Sequence, residues 1–108
     1  MIDDTDRMII TRWRLSSHHL YIETGRHKRP KIERNERKCI ICNTLEDENN
    51  AIFECSAHRI IRMNYVQIIT TLPTVRMFLN PETIDHMKDV AKILRKIEEN
   101  MEKLNMLR

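Results

Sequence analysis

Residues 39–58, CIICNTLEDENNAIFECSAH, set three cysteines and a histidine at the spacing of a single tetrahedral metal site. Cys39 and Cys42 form a CxxC pair, and a tight turn lets both thiolates reach one Zn²⁺ at about 2.3 Å. After twelve intervening residues Cys55 is followed at i+3 by His58. If that region is helical, both side chains point to one side and complete a Cys3His site. The plain alternative is three small buried thiols and a surface histidine. An odd count of three cysteines fits a reducing compartment and metal binding better than a disulfide framework.

Toward the N-terminus the chain turns basic. Residues 12–38 hold nine Lys or Arg against three Glu, a balance of +6, whereas residues 39–108 hold nine against ten, a balance of −1. A patch of that sign favours a polyanion, with a solvated loop as the bland alternative. Between Glu23 and Asn50 the only aliphatic residues are Ile32, Ile40, Ile41 and Leu45. They are too few to offset an ordering cost of roughly 1 to 2 kcal/mol per residue. A structural zinc supplies roughly 10 to 16 kcal/mol in small modules, so the metal decides whether this segment has a fixed shape.

The remainder reads as helix. Asp4, Thr5 and Asp6 offer caps to a first helix predicted over residues 6–17, with Ile9, Trp13, Ser16 and Leu20 at helical spacing. Gly25, the only glycine, and Pro30 mark a turn into the basic loop. Phe53, Ala57, Ile60, Ile61, Tyr65, Ile68 and Ile69 predict a central helix over residues 50–70, with a break near Cys55. Residues 74–79 make at most a turn, and Asn80-Pro81 opens a last helix. There Met87, Val90, Leu94, Ile97, Met101 and Leu104 form a heptad seam, either packed on its own domain or pairing residues 84–107 in a homodimer. The expected fold is mainly α: one domain, 1–108, with a small zinc-stapled CxxC knuckle between an N-terminal helix and a C-terminal set of helices. No apolar run approaches the roughly 20 residues that span a bilayer, and residues 1–6 are polar and acidic. An intracellular protein, nuclear or cytoplasmic, is expected.

The run TRWRLSSHHLYIETGRHKRPKIERNERKCIIC at residues 11–42, followed by LEDE at 45–48 and FEC at 53–55, resembles the zinc-binding segment near the C-terminal end of non-LTR (LINE-type) retrotransposon reverse transcriptases. The likeness covers residues 11–58; residues 59–108 resemble that tail only in being helical. It implies metal ligands at Cys39, Cys42, Asn50 and Cys55. At Asn50 the family pattern has histidine, and an amide oxygen is a poor partner for thiolate-bound zinc. Either His58 replaces the missing ligand, which is the expectation adopted, or Asn50 or a water completes a weak site, or the site has degenerated. Ser56 and Glu33 also stand where the family carries proline.

The resemblance implies a segment that grips template RNA or target DNA without polymerase chemistry. Reverse transcription needs palm carboxylates holding two metals, and Asp3-Asp4 at a polar terminus has no such sheet. Cys55 and His58 can be drawn as thiol and base, but no oriented third group accompanies them. Glu46, Asp47, Glu48 and Glu54 are explained as helix-start charges rather than as bases for a zinc hydrolase. The leading expectation is a zinc-stabilised nucleic-acid-binding module, not an enzyme. Arg12, Arg14, Arg26, Lys28, Arg29 and Lys31 would meet phosphates of RNA or DNA, and His18, His19 and Tyr21 are candidates for stacking on bases. The alternatives are a protein-interaction adaptor using the C-terminal amphipathic helix, or a decayed remnant without function.

Overall fold

The computed structural model describes residues 3–16, 18, 20, 25–28 and 30–106, apart from the side chains of residues 26 and 105. The chain is mainly helical, and its described residues contain no strand beyond one antiparallel bridge, Lys38 to Leu45. Helix α1 spans Asp4–Arg14. It starts two residues before the expected position because the Asp3 carboxylate accepts from the Thr5 N–H at 3.1 Å, and Asp4 and Asp6 favour the positive end of the dipole. The helix ends before Ser16, which sits in the left-handed region at φ 55°.

The central segment is more broken than its apolar spacing predicts. A π-helical turn at Asn50–Glu54 stops at Cys55, whose extended backbone (φ −64°, ψ 128°) supplies the expected break. A 3-10 turn at Ser56–His58 leads into α2, Arg59–Asn64, and after a second interruption at Tyr65 (φ −124°) into α3, Val66–Thr71. Neither glycine nor proline marks that second break. Leu72-Pro73 ends α3, and Thr74 caps a single turn, α4, Val75–Phe78, through its hydroxyl and the Met77 N–H at 3.1 Å. The last helix, α5, spans Ile84–Asn105. Its cap is Thr83, whose hydroxyl accepts from the His86 N–H at 3.1 Å, so Asn80-Pro81 precedes the helix instead of opening it.

Helix α5 is the spine. Val90, Ala91, Ile93, Leu94, Ile97 and Met101 are buried along it, so the seam read from heptad spacing faces this chain's own core. Opposite lie Ile9, Ile10 and Trp13 of α1, with Ile52, Ile61, Ile68, Phe78 and Leu79 closing the rest of one contiguous cluster. Both halves of the sequence contribute to it. Polar contacts fix the register of α1 on α5: Arg95 pairs with Asp6, Arg12 with Glu98 at 3.4 Å, and the Trp13 indole N–H donates to Glu98 at 3.0 Å. That last bond gives the only tryptophan a partner for its buried donor.

Truncation at the centre of this interface is expected to be costly. Leu94→Ala should destabilise the fold by about 2 to 5 kcal/mol in urea unfolding, whereas Ile60→Ala, at a position 73% exposed, should stay within about 0.5 kcal/mol. Equal effects at the two sites would contradict this packing.

Candidate metal centre

The knuckle is built by backbone hydrogen bonds before any sulfur is considered. The Cys39 N–H donates to the Thr44 carbonyl at 2.8 Å, the Asn43 N–H to the Cys39 carbonyl at 2.9 Å, and the Glu46 N–H to the Arg37 carbonyl at 2.9 Å. The turn closes because Asn43 takes φ 56°, a conformation asparagine tolerates better than most residues. Inside it the Ile41 N–H points at the Cys39 sulfur at 3.4 Å. Cys39 and Cys42 are thereby presented on one side of a tight hairpin.

Cys55 arrives from the other side, at the exit of the π-helical turn, with its N–H donating to the Asn50 carbonyl at 2.6 Å. Its sulfur lies 3.5 Å from that of Cys39, and the sulfurs of Cys39, Cys42 and Cys55 all fall within 4.8 Å of one another. Tetrahedral Zn–S bonds of about 2.3 Å put sulfurs about 3.8 Å apart, so the spacing suits one ion. It is too long for a disulfide, and all three thiols are free. The Cys55 thiol and the hairpin N–H groups beside Cys39 favour its thiolate, which draws its pKa down to about 5. The bond to Cys39, with burial second, pushes Cys55 the other way. Cys39 and Cys55 are buried and Cys42 is half-buried.

Among the described Cys, His, Asp and Glu, no fourth side chain joins these three, so His58 does not complete the site as expected. The helical i+3 argument fails because Cys55 is extended and Ser56–His58 is a 3-10 turn. His58 is instead 1% exposed, with Nδ1 3.2 Å from the Asn100 side-chain nitrogen. Asn50 lies much nearer the cluster. Its Nδ2 donates to the Cys42 sulfur at 3.4 Å and to the Thr44 hydroxyl at 2.8 Å, while its Oδ1 stands 3.8 Å from that sulfur. In this orientation Asn50 serves Cys42 as a hydrogen-bond donor.

The basic residues divide. Arg12 pairs with Glu98, and Arg14 donates to the Leu79 carbonyl, so both serve the helical body. Lys28 and Lys31 are exposed, as are Arg34 and Lys38 nearby, while the Arg26 side chain and Arg29 lie outside the described residues. Arg37 is buried and braces the loop, Nε donating to the Ile32 carbonyl at 2.8 Å. Of the stacking candidates, His19 and Tyr21 lie outside the described residues and His18 is buried, packed on Trp13 with ring centroids 4.9 Å apart. The Leu20 N–H donates to His18 Nδ1 at 3.3 Å, which places the ring proton on Nε2, 3.0 Å from Glu48. That bond, more than any other influence, holds the Glu48 carboxyl below its ordinary range. The pair ties the segment after α1 to the chain between the knuckle cysteines and Cys55. Sequence reading missed it, because two residues thirty positions apart carry no periodic signal.

No helix of the described residues is long and apolar enough to cross a membrane. Comparison of the chain with protein-family models, with curated proteins and with solved structures finds no match.

Two outcomes are expected from this geometry. Replacing Cys39, Cys42 or Cys55 with Ser should lower bound zinc well below one per chain in elemental analysis, whereas His58→Ala should retain it; loss of zinc in the histidine variant would restore His58 as a ligand. Burial, with the Arg62 charge second, holds the His58 pKa down to about 4 against an ordinary 6.5. The unfolded chain therefore binds the extra proton. The stability His58 contributes is full above pH ~6.5 and lost as pH falls toward ~4, about 3 kcal/mol in all. His58→Gln should flatten the unfolding profile across that window relative to the parent, and identical slopes would contradict the assignment.

Proposed function

We propose that this chain is a zinc-stapled, nucleic-acid-binding module that performs no polymerase chemistry. The observation that carries the reading is the convergence of Cys39, Cys42 and Cys55 directly after a loop whose Lys28, Lys31, Arg34 and Lys38 face solvent. Thiolate donors suit zinc among the ions a reducing compartment offers, and an ion held by sulfurs from two distant segments fixes the loop against the helical body. A fixed loop presents its cations at constant spacing, which is what contact with successive phosphates requires. The resemblance of residues 11–58 to the reverse-transcriptase zinc segment supports the same assignment, with RNA or DNA as the partner.

Fluorescence anisotropy with single-stranded RNA and DNA oligonucleotides tests it. Four engaged cations predict a log-log salt slope of roughly −3 to −4. Lys28→Glu with Lys31→Glu should weaken binding at least about tenfold and reduce the slope by about 2. Salt-insensitive binding, or none in zinc-loaded protein, would refute the function.

A further inference from the structure

Arg62, itself half-buried, carries the one buried side-chain nitrogen or oxygen among the described residues that has no hydrogen-bond partner. It sits on α2, seven residues after Cys55, and its Nη2 donates to the Cys55 carbonyl, which lays the guanidinium against the backbone of a proposed metal ligand. Its Nη1 is buried and has no hydrogen-bond partner. Guanidinium stays charged in proteins, so a buried donor left unmatched asks for a negative group that the neighbouring side chains do not supply by hydrogen bonding.

The metal centre has the charge to answer it. A divalent ion with three thiolates carries one net negative charge, and a neutral fourth ligand, whether amide, imidazole or water, leaves that charge unchanged. A buried negative charge without a counter-cation is costly. Lys28, Lys31, Arg34 and Lys38 are exposed and screened by water, and the buried Arg37 gives its Nε to the Ile32 carbonyl within the loop.

We infer that Arg62 is the counter-charge of the metal centre, a positioning residue that balances the three-thiolate ion through its guanidinium against Cys55. The inference rests on the metal assignment above. It goes further by placing an obligatory cation on a helix outside the knuckle. Zinc loading and the seating of α2 on the Cys55 turn are then coupled.

The test uses the full chain with Arg62→Lys and Arg62→Gln, cobalt(II) as the spectroscopic probe, zinc competition for affinity, and circular dichroism for folding. Arg62→Gln should lower zinc affinity about 10- to 100-fold. It should also move the thiolate-to-cobalt charge-transfer band to lower energy, because removing a nearby cation raises the energy of the sulfur electrons. Arg62→Lys, which keeps the charge, should hold both close to the parent. A glutamine variant matching the parent would overturn the inference and leave the metal site standing. Equal losses in both variants without a band shift would overturn it too, assigning Arg62 to packing. If the parent binds neither cobalt nor zinc, the metal assignment fails and this inference with it.

Discussion

The approach of the Cys55 sulfur to that of Cys39, 3.5 Å apart, joins two parts of the chain that have little other reason to meet. On one side is a loop whose Ile40 and Ile41 are exposed and whose Leu45 and Ile32 are only partly covered. On the other is the edge of a helical core. Hydrophobic burial therefore secures α1, α5 and the short helices between them, but contributes little to the hairpin. An ion bound there would stabilise by an amount comparable with the whole stability of a domain of this size. Backbone hydrogen bonds shape the turn itself, and the sulfur contact joins it to the helical core.

Secondary ties assist without replacing it. The pair of buried His18 and half-buried Glu48 connects the segment after α1 to the chain leading into the π-helical turn, and Arg37 closes the loop onto the Ile32 carbonyl. Each satisfies a polar group that burial would otherwise penalise. They flank the hairpin and the turn that leads to Cys55, and Arg62 of α2 reaches the Cys55 carbonyl. Arg62 and His58 are neighbours of opposite character, one a cation and one held neutral chiefly by burial.

The helical architecture was legible where apolar residues recur at spacings of three and four. Trp13 in α1 and the Val90–Leu94–Ile97–Met101 seam in α5 are buried as that spacing requires. The break at Tyr65 was not legible, because it uses no glycine or proline. The cysteine grouping was legible from CxxC and a third cysteine, since thiol spacing constrains a site almost without regard to the intervening fold. The place of His58 was not, because the i+3 argument assumes a continuous helix and Cys55 is extended. Asn50 stands beside Cys42, where the resemblance had put a ligand, although its nitrogen faces the sulfur. The basic run was legible as charge, but the partners of the half-buried Arg12 and the exposed Arg14, the Glu98 carboxylate and the Leu79 carbonyl, are revealed only by tertiary structure.

The central claim is that a metal at the three thiols gives the basic loop its fixed shape. Backbone hydrogen exchange across residues 25–46, compared between metal-stripped protein and protein with one equivalent of zinc, tests it most directly. The account predicts that zinc strongly slows exchange at the Cys39, Asn43 and Glu46 N–H groups, which close the hairpin, while α5 changes far less. Equal exchange in the two samples would mean that the loop holds its shape without an ion, and would contradict the claim.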